Sequence, residues 1–493
     1  MRLKEKIHRY FGVLRGVKLP WIIIICSFAV SIASMSTELQ VATLTAGIID
    51  ASQSAINASE LVNYISVAAI SAALSIASNY FTRKMEETIN LRVRTKLWTK
   101  IMRLPSFYYD EDSGDQLVSR VTSDAEAPSS LFSMAVSFVV CIVTSIQAFV
   151  QLYSYNTMLA NYSLIIIPLT LIVCVIYGKL TFRLGVFGTV TTASSLGYLA
   201  ERVRSFRLIK SALAEKAEAV RGNKTFKRMY LADFLSWLLV AGYSLASSLF
   251  SIMFIVIIFV IGGRFVNTGE LTIGDLTSFY MITGIVSLQL MQFFMNVGSV
   301  SGTFGTMKKI AQIIDTDSEP EGGEPVPEVC ADIEFDNVSF AYAGRQDVIK
   351  NLSVKIPMGK VTAVIGGNGA GKSTLFKLLL RLYEPKSGEI RFGGDGIGKY
   401  CLTDWRDRFA VVSQRNPLIG GTVRENIAYG LDREVSDEEL AETARRANCY
   451  DCITAKPDGF DEDVGLGGSN FSGGQGQCIS IARAMLRNAD YLL

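Results

Sequence analysis

A glycine-rich segment near residue 370 has the residue types and spacing of a phosphate-binding loop. It consists of Gly366, Gly367, Asn368, Gly369, Ala370, Gly371, Lys372, Ser373 and Thr374. This is the pattern G-x-x-x-x-G-K-[ST], in which backbone N–H groups surround a phosphate chain and the lysine reaches the β- and γ-phosphates. The serine hydroxyl would bind Mg²⁺. The segment therefore predicts a nucleoside triphosphate site.

The flanking residues predict the elements that must hold this loop. Residues 361–365 are apolar and partly β-branched, which predicts a buried strand before it. Residues 375–382 predict a helix after it, whose N-terminus adds the positive end of its dipole to the phosphate site. A glycine-rich turn before a core helix is the alternative. Chance rarely places Gly, Lys and Ser at these offsets between a strand and a helix.

The overall composition excludes a purely soluble protein. The chain has 493 residues, of which 49% are hydrophobic and 19% charged. Its mean hydropathy is +0.30. A chain of this length predicts several domains. The net charge of +2 gives no electrostatic support for a nucleic-acid partner, and we expect none.

Several apolar segments are long enough to cross a bilayer, which takes roughly 20 residues in a helix. Their limits are about 21–47, 61–82, 131–154, 158–181, 236–262 and 275–298. Lys and Arg cluster after the second and fourth segments, whereas residues 48–60 and 155–157 contain neither. The positive-inside rule then puts both termini and both long connections in the cytoplasm. We expect a multi-pass protein of the plasma membrane, in contact with the lipid bilayer.

The two long connections are themselves helical in pattern. Residues 85–104 and 199–220 show apolar positions every three or four residues among charges, which predicts membrane helices that continue into the cytoplasm. Short polar elements interrupt them at residues 109–115 and 204–211. Each element either contacts a cytoplasmic domain or is a solvated turn, and the sequence favours neither.

Polar side chains within the apolar segments indicate a possible solute cavity. Glu38 lies in the first segment, and Gln289, Gln292 and Asn296 lie in the last. Charged and polar groups in a membrane are costly and often functional. They predict either a central cavity for a hydrophobic or amphipathic solute or ordinary hydrogen bonding between helices.

The domain organisation follows from these patterns. Residues 1–19 predict an amphipathic helix on the membrane surface, and residues 20–312 a six-helix transmembrane domain. Residues 313–330 include a Pro-, Gly- and acid-rich linker before a last domain at residues 331–493. In this last domain, apolar and polar side chains alternate along residues 333–340, which predicts a strand. Tyr342 follows this strand. Its side chain either stacks on an adenine ring or packs in the core at the end of the strand.

Together these features resemble the ATP-binding cassette (ABC) exporters, and specifically a half-transporter with a six-span membrane domain fused to one cassette domain. The resemblance implies a membrane α-helical domain plus an α/β P-loop NTPase domain. The motifs that carry it are the phosphate loop, Tyr342, the segment 411–414 ending in Gln414, the segments 114–121, 421–427 and 481–484, and the signature Phe471, Ser472, Gly473, Gly474 and Gln475.

The resemblance also implies roles for these residues. Tyr342 would stack on adenine, and Lys372 and Gln414 would act in ATP hydrolysis. Ser373 and Gln414 would bind Mg²⁺. The signature of one subunit would contact ATP held by the phosphate loop of a second half-transporter, identical or different. ATP binding and hydrolysis by this dimer would drive export of a hydrophobic or amphipathic solute.

The sequence departs from the family pattern in several positions. It stops at Leu493, before the Asp that binds Mg²⁺ and the Glu that activates water, so we expect an incomplete sequence. Gly476 and Cys478 stand where the family often has Arg, and Leu466 where it often has Glu. An alternative therefore stays open, a non-hydrolysing, ATP-binding regulatory or degenerate half of a heterodimeric transporter.

Overall fold

The computed structural model describes residues 12–51, 57–111, 114–164, 166–414 and 418–493. The chain divides into two compact units. The helical unit comprises Met1–Met102 and Asp115–Thr316, and the mixed unit comprises Arg103–Gly114 and Asp317–Leu493. The amphipathic helix predicted for residues 1–19 falls mostly outside the described residues. Residues 13–16 form a turn, in which the Val13 carbonyl accepts a hydrogen bond from Lys96 Nζ at 3.0 Å.

Long helices make up most of the first three hundred residues. They are α1 Trp21–Ala51, α2 Ala58–Ile101, α3 Ser106–Glu111, α4 Gly114–Thr122, α5 Ala127–Tyr155, α6 Thr157–Leu164, α7 Ile166–Arg204, α8 Phe206–Ser211, α9 Glu215–Asn267 and α10 Ile273–Asp315. A short 3-10 turn lies at Asp124–Glu126. The short helix α3 and the first residue of α4, Gly114, belong to the mixed unit. The rest of these helices belong to the helical unit.

Five helices among the described residues are long and apolar enough to cross a membrane. They lie in Trp21–Ala51, Ala58–Ile101, Gln116–Tyr155, Glu215–Asn267 and Ile273–Phe293. They contain the first, second, third and fifth predicted spans and most of the sixth. The remaining predicted span, 158–181, falls on α6 and α7, on either side of residue 165, which lies outside the described residues.

Two of these helices are far longer than a bilayer requires. Helix α2 has 44 residues and α9 has 53. At a rise of about 1.5 Å per residue they measure roughly 66 and 80 Å, against about 30 Å of hydrocarbon. The predicted helical extensions beyond the apolar spans are therefore confirmed for the connection after the second span, where α2 runs on to Ile101.

Small polar side chains join the first two membrane helices. Ser27 and Thr82 lie 2.9 Å apart through their hydroxyl oxygens, and Ser31 and Ser78 lie 2.7 Å apart. Small residues let helix backbones approach closely, and their hydroxyls satisfy each other away from water. Helices α1, α5, α9 and α10 share a core. Its buried residues include Leu39, Leu152, Ile258, Phe279 and Ile282.

The mixed unit combines small sheets with short helices. Its elements are β1 Ile333–Phe340, β2 Ile349–Ile356, α11 Lys372–Leu379, β3 Ser387–Phe392, β4 Asp395–Gly396, α12 Leu402–Asp407, β5 Phe409–Ala410, α13 Val423–Ile427, α14 Asp437–Arg446, α15 Tyr450–Thr454, α16 Gly473–Arg487 and β6 Tyr491–Leu492. The four-stranded antiparallel sheet has the order β2-β1-β3-β4, and β5 pairs in parallel with β6. The strand predicted for residues 333–340 is thus confirmed as β1.

Two hydrophobic clusters hold this unit together. In the first, α11 packs on the antiparallel sheet around the fully buried Trp405, whose indole N–H donates to the Leu379 carbonyl at 2.8 Å. The second cluster lies around α13, α14 and α16 and includes Val423, Leu440 and Ile479. The alternating apolar residues of β1 supply Ile333, Phe335, Val338 and Phe340 to the first cluster.

The strand predicted for residues 361–365 does not form. These residues have no regular structure, and Ile365 is 92% exposed. A parallel strand exists only through hydrogen bonds to its neighbours. Within the described residues β5 pairs with β6, and neither pairs with 361–365. The β-branched composition of residues 361–365 was therefore not sufficient to form a strand. The helix predicted after the loop is confirmed as α11, although it begins at Lys372 and ends at Leu379.

The Pro- and Gly-rich segment after α10 is attached to the mixed unit. Arg406 donates two hydrogen bonds to the Glu319 carboxylate, at 2.7 and 2.8 Å. Gly323 has a φ of +131°, and a Cβ there would lie 2.6 Å from the Cys401 backbone nitrogen. Only glycine therefore fits this close approach. The Glu319 N–H also donates to the Arg103 carbonyl at 2.9 Å, which connects the segment to the residues before α3.

Candidate nucleotide site and membrane cavity

The phosphate loop is an exposed turn that leads directly into α11. Residues 361–370 are all exposed, and the Ser373 hydroxyl belongs to an exposed residue in the first turn of the helix. Lys372 Nζ donates to the carbonyl oxygens of Gly366 and Gly367, at 2.8 Å each. The ammonium group is therefore held against the loop. The first N–H groups of α11 have no partners within the helix, which makes this N-terminus a site for anions.

Glycine is required at the junction between loop and helix. Gly371 has a φ of +87°, and a Cβ there would lie 3.2 Å from Val348 Cγ1. A left-handed conformation costs a residue with a side chain roughly 1–2 kcal/mol. By contrast, a Cβ on Gly367 would meet nothing within 4 Å, so no neighbour in the described structure explains that glycine. Its lack of a side chain leaves the loop surface open to a bound phosphate.

Tyr342 lies beside the phosphate loop rather than apart from it. Its hydroxyl lies 3.1 Å from Thr374 Oγ1. Its ring packs edge-on against Phe340 and Tyr383, with centroid distances of 4.9 and 5.3 Å. The side chain is half-buried at the margin of the first cluster. Tyr342 thus takes the strand-end packing position, and its contact with adenine stays a prediction.

A lysine that the sequence did not single out completes this group. Lys377 Nζ lies 5.3 Å from the ring centroid of Tyr342 and 5.2 Å from that of Tyr383. A cation over an aromatic face is attracted by the ring's quadrupole. The spacing of Lys377 one turn after Ser373 on α11 could have indicated that it lies on the same side of the helix.

The signature residues form the beginning of α16. The Ser472 hydroxyl accepts a hydrogen bond from the Gln475 N–H at 3.3 Å, and the Gln475 side chain accepts one from the Ser472 N–H at 2.8 Å. This capping box starts the helix at Gly473. Phe471 is buried in the second cluster. A Cβ on Gly473 or Gly474 would meet nothing within 4 Å, so the helix N-terminus is bare.

Arg483 connects the signature helix to the segment 421–427. It donates to the Asn426 carbonyl at 2.7 Å and to the Asn426 side-chain oxygen at 2.9 Å. Burial lowers the pKa of this guanidinium from its usual value. The Asn426 side chain also donates to the Ile419 carbonyl at 2.8 Å, so one buried amide holds the turn before α13. Both segments were recognised as motifs, but the sequence did not show that they pair.

Gln414 lies in an exposed turn after β5. The turn begins where the Val412 N–H donates to the Leu493 carbonyl at 2.9 Å, next to the pairing of β5 with β6. Among the described residues, which omit 415–417, no hydrogen bond joins Gln414 to the phosphate loop. The roles of Gln414 in Mg²⁺ binding and in water activation remain predictions.

A cavity of about 260 Å³ lies among α1, α5 and α10 in the helical unit. Its lining residues are Met35, Glu38, Ser137, Val140, Cys141, Ile285, Leu288, Gln289 and Gln292. Three of the four predicted residues therefore line one cavity. The fourth, Asn296, lies next to it and donates to the Ser137 hydroxyl at 2.8 Å.

Hydrogen bonds between helices occur in the same place. Gln289 accepts from the Thr144 hydroxyl at 2.9 Å and donates to the Met35 sulfur. Gln147 accepts from the Ser36 hydroxyl at 2.9 Å. The two interpretations of the polar side chains are therefore not exclusive, because Gln289 both lines the cavity and joins the three helices.

Two protein-family models match this chain. Residues 349–493 match the family model described as ABC transporter, and residues 21–302 match the model described as ABC transporter transmembrane region. The chain belongs to the ABC transporter family. A membrane domain and a cassette domain on one chain form an exporter-type half-transporter, as the sequence predicted. Members of this family are ATPases coupled to transport, and the cassette match implies ATP binding.

Three relatives illustrate the range of this ABC transporter family. The mitochondrial ATP-dependent permease MDL1 of Schizosaccharomyces pombe is 32% identical over 429 residues, which cover 83% of this chain and 57% of the permease. A multidrug resistance ABC transporter ATP-binding and permease protein of Lactococcus lactis subsp. cremoris is 26% identical, covering 99% of this chain and 83% of that protein. A fatty acid ABC transporter ATP-binding/permease protein of Mycobacterium tuberculosis is 30% identical, covering 82% of this chain and 64% of that protein.

The residues at the phosphate loop fit ATP and its metal ion. Mg²⁺ in such sites is bound by a few protein oxygens together with the phosphate oxygens. The exposed Ser373 hydroxyl at the start of α11 is a ligand of this kind. Within the described part of the chain, no group of three or more His, Cys, Asp and Glu side chains could hold a metal ion.

Proposed function

We propose that this chain is one half of a dimeric exporter of the plasma membrane, which uses ATP binding and hydrolysis to move a hydrophobic or amphipathic solute. The observation that carries the proposal is a largely apolar membrane cavity with Glu38 and two glutamines in its lining, on the same chain as a phosphate loop that leads into a helix N-terminus. One relative is named for multidrug resistance and another for fatty acids, and a fatty acid is amphipathic.

Residues of the phosphate loop would bind and orient the nucleotide. The N-terminus of α11 and the Lys372 ammonium neutralise phosphate charge, and the Ser373 hydroxyl holds Mg²⁺ when the nucleotide is bound. Gln414 would orient the attacking water. Such sites act mainly by positioning and electrostatic stabilisation, so these groups must be rigid before ATP arrives. The hydrogen bonds of Lys372 to Gly366 and Gly367 support this role.

Two exposed features support a dimer. The glycines at the start of α16 leave its N-terminus free of side chains, which suits a phosphate group supplied with a second subunit. Helix α8, Phe206–Ser211, has no buried residue, and its Phe206 and Leu208 side chains are exposed. Apolar residues on a short cytoplasmic helix are expected to contact another protein surface.

Two observations favour the alternative, a non-hydrolysing half. Leu466, where the family often has Glu, is 93% exposed in a glycine-rich turn, Leu466–Gly468. Cys478, where the family often has Arg, packs against the second cluster and removes one positive charge near the signature, where Lys456 Nζ remains 5.0 Å from the Phe471 ring centroid. A subunit with a weakened signature would bind ATP and leave hydrolysis to its partner.

ATP turnover in lipid vesicles separates these functions. We expect the natural full-length protein, reconstituted in inverted vesicles, to hydrolyse ATP and to accumulate an amphipathic dye. The Lys372→Ala variant should do neither, because the phosphates lose their cation. Lys350→Ala removes an exposed lysine of β2 in the same unit and serves as the matched control. ATP binding without turnover by the wild-type protein would favour the non-hydrolysing half. Turnover in Lys372→Ala equal to wild type would refute the proposed site.

A further inference from the structure

The membrane cavity is lined by one carboxyl side chain, that of Glu38 of α1. We propose that this cavity selects solutes that carry a positive charge, and that the Glu38 carboxylate binds that charge directly. This inference rests on the proposed export function and specifies its substrate class. The solute would be an amphipathic cation, such as a quaternary ammonium or phosphonium compound or a protonated amine, with its apolar part against the neighbouring helices.

The position of Glu38 along the helix puts its carboxylate inside the membrane. Helix α1 runs from Trp21 to Ala51. At about 1.5 Å per residue, Glu38 lies roughly 26 Å from the first residue and 20 Å from the last. Half of the hydrocarbon core is about 15 Å thick. With the helix centred in the bilayer, a glutamate side chain is too short to reach either surface from this position, and charged groups at such depth face water or a partner inside the helical bundle.

The helices that form the cavity supply no cation to neutralise it. Helix α5 contains no charged residue, and α1 contains no Lys, Arg or His. The basic residues of α10 are Lys308 and Lys309, and each lies at least 16 residues beyond Gln292, or roughly 24 Å along the helix. No ion pair joins Glu38 to any residue in the described part of the chain. The cavity is therefore electrically negative.

The two glutamine amides that line the cavity have partners other than Glu38. The Gln289 amide donates to the Met35 sulfur, and the Gln292 amide lies 3.5 Å from the Asn296 side-chain oxygen. The other lining residues are largely apolar, including Val140, Ile285 and Leu288. An ionised carboxylate without a partner is costly in such surroundings. A cationic solute removes this cost when it binds, whereas a neutral solute does not.

The same charge excludes an anionic cargo. One relative is named a fatty acid transporter, and a fatty acid is a carboxylate at neutral pH. In a cavity of about 260 Å³ a second carboxylate would lie close to Glu38 and be repelled. The proposed cargo therefore has the amphipathic character of a fatty acid but the opposite charge.

Direct binding measurements can test this inference. The reconstituted protein, in nanodiscs of zwitterionic phosphatidylcholine, is dialysed against radiolabelled tetraphenylphosphonium, with empty nanodiscs as the blank. The neutral dye N-phenyl-1-naphthylamine serves as the uncharged probe. Glu38→Gln removes the charge with little change of shape, and Glu38→Asp keeps it. Asp50→Asn removes the other carboxylate of α1, which lies outside the cavity lining and accepts from the Gly274 N–H. ATP affinity is measured in each variant to verify folding.

We expect Glu38→Gln to weaken tetraphenylphosphonium binding by about tenfold or more, as for the loss of a partly desolvated ion pair. Glu38→Asp and Asp50→Asn should each change it by less than about threefold, and the neutral dye should bind all variants equally. Equal phosphonium binding by wild type and Glu38→Gln, with ATP affinity retained, would overturn the inference. Binding of the dye but not of phosphonium to the wild type would overturn the charge selection alone. Binding of neither would overturn the solute cavity of the proposed function.

Discussion

Replacing Tyr342 separates its two candidate roles, stacking on adenine and packing at the end of β1. The contacts of Tyr342 in the structure determine how much unfolding free energy each substitution removes. Tyr342→Phe loses only the 3.1 Å contact with Thr374, worth about 1 kcal/mol of unfolding free energy. Tyr342→Ala also loses the ring contacts with Phe340 and Tyr383, each worth about 0.5–1.5 kcal/mol beyond burial. We therefore expect a total destabilisation of about 3 kcal/mol for the alanine variant.

ATP affinity responds differently in the two roles. Stacking of a base on an aromatic ring contributes about 1–3 kcal/mol, so Tyr342→Ala should weaken ATP binding by roughly 5- to 150-fold if the ring contacts adenine. Tyr342→Phe keeps the ring and should bind ATP almost normally. Inorganic tripolyphosphate has no base, and its affinity should be unchanged by either substitution.

Isothermal titration of the purified protein with ATP and with tripolyphosphate, both without Mg²⁺ to prevent turnover, makes this comparison. The stacking role predicts that only the ATP affinity of Tyr342→Ala falls. If both ligands weaken by the same factor, the ring acts through Thr374 and the first turn of α11, and the adenine contact is refuted. Thermal unfolding of each variant verifies that the mixed unit is folded at the temperature of the titration.

Three further changes test the mixed unit. Trp405→Ala should destabilise it by about 3–5 kcal/mol, since the side chain is fully buried and its N–H bonds the Leu379 carbonyl; pulse proteolysis in urea measures this. Arg483→Ala should cost about 1–3 kcal/mol in the same assay, because two oxygens of Asn426 lose their donor. Burial, together with two nearby cysteines, raises the pKa of the Cys449 thiol to about 12 from 9.0. Iodoacetamide at pH 8 should therefore label it about a thousandfold more slowly in the folded than in the unfolded protein. The folded state should also lose stability as the pH rises from about 9 towards 12, because only the unfolded thiol ionises in that interval.

Matched variants make each of these results decisive. Trp405→Phe keeps an aromatic ring and should lose less stability than Trp405→Ala; an equal loss would mean that the indole hydrogen bond dominates. Arg483→Lys should recover only part of the loss, because a single ammonium cannot reproduce the guanidinium fork. Equal labelling rates for Cys449 in folded and urea-unfolded protein would contradict the burial of its thiol.

Sequence patterns that depend on contiguous residues predicted this protein well. The phosphate loop requires Gly, Lys and Ser at fixed offsets, and the structure has it leading into α11. The apolar segments predicted membrane helices because a span needs only length and hydropathy. The phosphate loop and the signature together indicated the ABC transporter family. Each of these features is local, so the residue types alone carry the information.

Features that depend on residues distant in the chain were decided by the tertiary structure. Residues 361–365 have strand-forming side chains, but no neighbouring strand pairs with them. Arg483 and Asn426 are 57 residues apart and meet only when α16 packs on α13.

The membrane cavity shows the same division. The sequence by itself determined that Glu38 lies in the middle of an apolar helix and that glutamines lie in another. Only the packing of α1, α5 and α10 decided that Glu38 and Gln289 line one space, and that Gln289 is bonded while Glu38 faces the cavity. A helix determines which of its residues share a face, because its period is local. The groups that this face meets depend on which helices pack together, and that depends on the whole chain.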